Sequence, residues 1–299
     1  MTAAIAAMPD AASAQRLIFD VGMHQGEDTA FYLKKGFRVV GFEADPRLAA
    51  GCRTRFADAI ASGMLTIVEG AICEPPAPGT DRPETIRFYR NTGNTVWGTV
   101  DGEWASRNES LGTRSEIIEV PVVDFAECLR RFGVPYYLKI DIEGMDRVCL
   151  KALATVEQRP AYVSIEAEKV DRGRLEAEVV LLTRLGYAGF QAIQQSGIST
   201  QREPEPPREG HYAGHRFAEG SSGLFGEDLP GPWTDAATLL RRYRRVFVLY
   251  RWFGDSAVLP RLRAGRLLIK VLSRLSGRPI PGWYDTHARH RSAAQRAAR

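Results

Sequence analysis

Along the first two-thirds of the chain, short apolar runs alternate with longer stretches of helical spacing, and each run closes on a glycine or an acid. Leu17 to Val21 stops at Gly22, the helical stretch after it is bounded by Gly36, and Phe37 to Phe42 resumes as a strand that ends in Glu43. The pattern predicts a helix from Pro46 to about Ser62 and a third strand, Leu65 to Val68, ending at Glu69-Gly70-Ala71. Glu74-Pro75-Pro76-Ala77-Pro78-Gly79 breaks all regularity. Thr85 to Arg90 and Ile117 to Val123 read as strands around a long polar loop with Asn91, Asn94, Trp97 and Trp104. Loops of that length inside a compact domain are commonly functional or mobile. Asp124 is placed to cap a helix reaching Phe132, which Gly133-Val134-Pro135 ends.

A second informative segment is Tyr136 to Gly144, read as a strand with Lys139, Asp141 and Glu143 at alternate positions and so on one side. Three charges there are costly unless paired or in contact with a ligand. A helix follows from Met145 to Leu153, then a strand Tyr162 to Ile165 ending in Glu166, a helix Val179 to Leu185 and a strand Tyr187 to Ile193. Five or more strands alternating with helices mean an α/β sandwich. Beyond the loops Arg202 to Gly210 and Glu219 to Gly226, basic helices are expected over Asp235 to Phe253 and Pro260 to Leu275. Gly282 to Asp285 closes the ordered part on this reading, and Ala288 to Arg299 is expected to be disordered. The expected organisation is a loose tail over 1–15, an α/β domain over 16–226 and a basic helical extension over 227–299.

The first turn carries the chemistry. In doubly wound sheets ligands lie beyond the carboxyl ends of the strands, and an acid about 20 residues past the first turn can accept hydrogen bonds from both ribose hydroxyls. Asp20 to Glu43 fits that distance. A dinucleotide site needs G-x-G-x-x-G to bring the backbone onto a pyrophosphate. Here His24 stands where the middle glycine would, and Glu27 and Asp28 open the helix. Two acids at a helix start repel a pyrophosphate but tolerate a cation, and Asp20 suits a ligand with an amino group and a sulfonium. The turn therefore favours S-adenosylmethionine over a nicotinamide dinucleotide, with a packing role alone for Gly22 and Gly26 as the plainer alternative.

Composition narrows the class. With 299 residues, 44% hydrophobic and 25% charged, the chain can bury one substantial core. Cys52, Cys73, Cys128 and Cys149 form no C-x-x-C pair, which argues for free thiols in a reducing cytoplasm and against a structural zinc site. No window approaches 18 uninterrupted apolar residues, so no transmembrane helix is expected. The net charge of +4 hides an asymmetry: residues 231–299 hold fifteen Lys and Arg against three Asp, a formal +12, leaving −8 for the rest. That tail suits docking on its own acidic domain or on a second subunit in a homodimer, then peripheral contact with an anionic membrane. Nucleic acid ranks last, because no RNA-binding motif accompanies the charge.

The blocks Asp20-Val21-Gly22 with Gly26, Phe42-Glu43-Ala44-Asp45-Pro46 and Leu138-Lys139-Ile140-Asp141-Ile142-Glu143-Gly144 make the sequence resemble the FkbM family of S-adenosylmethionine-dependent methyltransferases, over about Leu17 to Ile193. The resemblance implies a Rossmann-like class I fold, a mostly parallel seven-stranded sheet sandwiched by helices. It also implies O-methylation of a hydroxyl on a sugar, glycolipid or natural-product acceptor. By position, Asp20, Gly22 and Gly26 would line the methionine half of the cofactor, Glu43 the ribose, Ala71 the same cleft, and Asp141 the methyl group and acceptor. Met23-His24 departs from the family's usual Ala-Asn, and His24 remains able to reach the cofactor.

Asp141 is the first candidate for general base, with Glu143 and His24 as alternatives. Against this stands a structural salt-bridge cluster with Lys139, and a Mg²⁺ held by Asp141 and Glu143 is a lesser option; the favoured reading uses no metal. Asn94 and Trp97 offer an acceptor hydrogen bonds and a flat apolar face, and His211 would join them if His211 to Gly226 folds as a lid. The competing functions are a nicotinamide-dependent oxidoreductase and a methyltransferase-like binding protein without catalysis.

Overall fold

A computed structural model describes residues 16–76, 79–110, 112–142, 144–168, 171–218, 220–253, 257, 262–277, 280 and 282–297. The tail expected over residues 1–15 and the candidate Glu143 lie outside the described residues. The chain divides into two compact units, Met1–Ala161 and Tyr162–Arg299.

In the first unit, β1 (Leu17–Val21), α1 (Glu27–Lys34), β2 (Arg38–Glu43), α2 (Pro46–Arg55), α3 (Ala57–Ala61) and β3 (Leu65–Glu69) follow the expected alternation. A small sheet comes next, with β4 (Ala71–Ile72), β5 (Thr85–Asn91), α4 (Gly102–Ser110) and β6 (Ser115–Val123), before α5 (Phe125–Phe132), β7 (Tyr137–Ile140) and α6 (Asp146–Leu153). β1 pairs in parallel with β2 on one side and β7 on the other, and β2 with β3. Every residue of β1 is buried, as a central parallel strand covered on both faces requires. Phe19 packs on Phe42 at 5.3 Å between ring centroids and edge-on to Phe125 of α5 at 6.1 Å. The expected cap holds: the Asp124 side chain accepts from Glu127 N.

Three local expectations change. The single helix from Pro46 breaks at Phe56, whose ring lies under Gly26, where a Cβ would come within 2.3 Å of it. The long polar loop contains a short 3-10 turn, Thr95–Trp97, and α4, because Asp101 accepts from Glu103 N and Trp104 N and so starts a helix. The strand expected to reach Gly144 ends at Ile140, so Asp141 stands just past it.

The second unit holds β8 (Tyr162–Glu166), α7 (Arg172–Arg184), β9 (Tyr187–Gln194), α8 (Ala236–Phe253), α9 (Arg263–Ser276), β10 (Tyr284–His290) and α10 (Arg291–Ala297). The disorder expected from Ala288 is wrong as far as Ala297, and residues 298–299 lie outside the described residues. β10 runs antiparallel to both β8 and β9, with His287 beside Ser164 and Gln191. It buries Asp285, Thr286, His287 and Ala288, its Thr286 hydroxyl is hydrogen-bonded to Tyr243 of α8 at 2.7 Å, and Arg289 pairs with Glu227 at 3.0 Å. The segment looked disordered because its polar composition lacks an apolar run, yet between two strands every backbone group finds a partner. The seven strands of the main sheet order as β3-β2-β1-β7, all parallel, in the first unit and as β8-β10-β9 in the second, while β4-β6-β5 forms a small sheet in the first.

Candidate active site

At the end of β1 the chain turns sharply over the end of β2: Gly22 N and Met23 N both donate to Phe42 O, at 3.0 and 2.9 Å. Gly22 has φ +77°, and a Cβ there would stand 1.9 Å from the Asp141 carbonyl oxygen, so the β1 turn and the β7 turn meet backbone to backbone. No side chain fits between them. His24 follows with φ 51°, the one non-glycine residue in the left-handed region among the described residues. That conformation aims its N–H at Glu43, donating to Oε2 at 2.8 Å.

The parallel register sets Asp20 of β1 opposite Lys139 of β7. Lys139 Nζ lies 3.3 Å from Asp20, 3.7 Å from Asp141 and 3.8 Å from Asp28 of α1, and donates to Gly22 O at 2.8 Å. Asp20 is fully buried and also accepts from the Thr29 hydroxyl at 2.6 Å. Burial opposes the Lys139 charge, but Asp20, Asp141 and Asp28 outweigh it and raise its pKa above the ordinary lysine value. Three carboxylates around one ammonium leave two formal negative charges in excess. Asp141 is the member open to solvent, its side chain 45% exposed.

Glu43 closes the other side of the turn. Its Oε1 accepts from Asp45 N and its Oε2 from His24 N, both at 2.8 Å. Burial pushes its pKa up to about 7, against the pull of the two N–H groups. Each carboxylate oxygen retains a further lone pair for a ligand donor. Asp45 caps α2 through Arg47 N and forms a bidentate pair with Arg90 of β5, at 2.8 and 3.0 Å, while Arg90 reaches Glu116 at 3.2 Å. The pair anchors the end of β2 to the small sheet.

His24 also reaches sideways, its Nε2 2.8 Å from the Thr95 hydroxyl and its Nδ1 3.3 Å from Glu27. Burial raises the Glu27 pKa, and the bond to His24 with the other favourable contacts outweighs that to leave it lowered. Through Thr95 the turn that holds Asn94 and Trp97 joins the site. Asn94 caps that turn, accepting from Val96 N, and the Trp97 carbonyl accepts from Asn108. Trp104 and Asp101 lie against Gly144, each with an atom 3.8 Å from where a Cβ would sit. Ala71, expected in the cleft, is buried with Phe88 and Val120 in the core of the small sheet. His211 is exposed in the second unit.

The sequence reading missed Thr29, Arg90, Thr95 and the part Trp104 takes. Asp45-Pro46 was the available signal, an acid before proline at a helix start.

The profile of the Methyltransferase FkbM domain matches residues 20–190, more than half of the chain. The chain belongs to the FkbM methyltransferase family. The matched span opens on Asp20 and takes in the β1 turn, Glu43, Lys139 and Asp141 of this methyltransferase. A search of curated proteins returns no match. Among solved structures, a precorrin-6y C5,15-methyltransferase from Geobacter metallireducens GS-15 aligns with TM-score 0.33 and 15% identity, over 60% of this chain and 66% of that one. A SAM-dependent methyltransferase from Geobacter sulfurreducens, in complex with S-adenosyl-L-homocysteine, aligns with TM-score 0.33 and 12% identity, over 92% and 85%. Family membership rests on the profile match. Among the described residues no group of three or more His, Cys, Asp or Glu side chains is arranged to hold a metal ion, and no helix is long and apolar enough to cross a membrane.

Proposed function

We propose that this FkbM methyltransferase uses S-adenosylmethionine to methylate a hydroxyl oxygen of a sugar, glycolipid or natural-product acceptor. Glu43 is the observation that carries the reading: a buried carboxylate at the end of β2, fixed by two backbone N–H groups, with lone pairs left for two ribose hydroxyls. Around the β1 turn the excess of carboxylate over ammonium suits a ligand bearing an amino group and a sulfonium. Glu27 and Asp28 at the start of α1 repel the pyrophosphate of a nicotinamide dinucleotide, which disfavours the oxidoreductase alternative.

Bound there, S-adenosylmethionine supplies a methyl carbon made electrophilic by the sulfonium. The protein's part is mainly alignment, and that needs a rigid frame. Gly22 against Asp141, and Lys139 held by carboxylates from β1, α1 and the β7 turn, supply it. Asp141, exposed beyond β7, accepts the proton of the acceptor hydroxyl. His24 is a weaker candidate because its Nε2 already meets Thr95. Trp97, half-buried in the turn that holds Thr95, offers a flat apolar face to a sugar ring, and Asn94 beside it offers hydrogen bonds.

Calorimetric titration with S-adenosylhomocysteine and with NAD tests the donor side, and Asp141→Asn tests the base. The expected result is binding of the first ligand alone, lost in Glu43→Ala. Asp141→Asn should keep that binding while transfer of isotope-labelled methyl to a panel of glycosides drops about 10²- to 10⁴-fold. Failure of the homologue to bind, or binding unchanged in Glu43→Ala, would sink the donor assignment. Full turnover in Asp141→Asn would remove Asp141 from its role.

A further inference from the structure

The helix α9 divides into three sectors. With 100° per residue, Leu267, Leu268, Val271 and Leu275 fall within an arc of about 100°. All four are exposed, Leu267 at 64% and Leu275 at 80%. Exposed Lys270 and Arg274 flank that arc on one side, and on the other Gly265 is buried with Ile269 and Leu272 half-buried, the sector turned toward the protein. The helix contains no acid, and Arg263 and Arg266 add to its basic sequence. Leu262, just before it, is exposed as well. Contiguous exposed leucines of this kind mark an interaction surface.

We propose that α9 lies in the plane of an anionic lipid bilayer, with Leu267, Leu268, Val271 and Leu275 sunk at the boundary of headgroups and acyl chains and Lys270 and Arg274 against lipid phosphates. A 14-residue helix is about 21 Å long, short of the roughly 30 Å hydrocarbon core, so it rests on the membrane and does not span it. Charge selects the occupant. A two-fold contact between copies of this helix presents the same patch from both sides, bringing Lys270 and Arg274 of each copy toward like charges with no acid on the helix to pair them. An anionic surface meets the same residues with opposite charge.

The test is co-sedimentation of the full chain with phosphatidylcholine vesicles and with vesicles mixing phosphatidylcholine and phosphatidylglycerol. The expected result is binding to the mixed vesicles alone, weakening as salt is raised. Lys270→Gln with Arg274→Gln should weaken it about thirtyfold, roughly fivefold per basic residue removed. Leu268→Ser with Leu275→Ser should abolish it while far-ultraviolet circular dichroism stays that of the parent. No sedimentation of the parent chain with mixed vesicles overturns the proposal, as does equal binding by the folded leucine variant. A dimer in sedimentation equilibrium that the leucine variant dissolves would assign the stripe to a second copy and overturn it too. If the leucine variant does not fold, the contrast between vesicle types and the salt response of the parent decide.

Discussion

Glu43 is a carboxylate that titrates near neutrality because it is buried, and two consequences follow from the sign of that shift. Its folded pKa, about 7, lies above the ordinary 4.5, so the ligand-free protein is most stable, as far as this group is concerned, below pH 4.5. It loses up to about 3 kcal/mol as pH rises through 7. Ribose hydroxyls donate to the ionised form, so ligand binding favours the deprotonated protein. The association constant for S-adenosylhomocysteine should therefore fall about tenfold per pH unit below 7, and Glu43→Gln should bind weakly with a nearly flat profile between pH 5.5 and 8. Calorimetry across that range checks both. The positions of Gly22, Glu43 and Asp141 at the ends of β1, β2 and β7 were legible in the sequence, because apolar runs that stop at a glycine or an acid mark where strands end. Asp20 shows the limit: expected beside the ligand, it is buried and bonded to Thr29 and Lys139, partners visible only once the β1–β7 register is known.

Between elements, the Asp45–Arg90 pair decides how the end of β2 is held. Both side chains are less than a tenth exposed, so removing one charge leaves the other buried without its partner. Arg90→Met should cost about 3 kcal/mol in urea unfolding and weaken S-adenosylhomocysteine binding, since Asp45 N is one of the two donors that fix Glu43. The double variant Arg90→Met with Asp45→Asn should recover part of the loss, and a loss below about 1 kcal/mol in the single variant would show that the pair does not anchor the strand. Element order came through in the sequence because glycine and proline punctuate it. Helix starts at Asp101 and Asp171 did not, as both lie in polar stretches where the side chain chooses between turn and cap. The cross-link from His24 to Thr95 joins residues 71 apart, beyond any local pattern.

At the scale of the molecule, residues once expected to trail off supply a strand of the sheet. A chain ended before Tyr284 leaves β8 and β9 of the second unit each with an open edge and exposes the side chains that β10 covers. Such a truncation should be degraded by a protease dose the full chain survives and should precipitate on expression; a soluble, protease-resistant product would refute the importance of β10. The basic charge of residues 231–299 was legible from composition, but its division of labour was not: β10 pairs with β8 and β9, whereas α9 leaves Leu267, Leu268 and Leu275 to solvent. The position of β10 also sets a timetable for the newborn protein. About 90 residues separate Gln194 from Tyr284, so at about 5–20 residues per second the ribosome takes roughly 5–20 s to deliver the strand that β8 and β9 await. Over that interval the nascent chain exposes the edges of β8 and β9 that β10 later joins, a state suited to capture by chaperones, and a message broken between the two stretches yields a product that cannot bring these strands together.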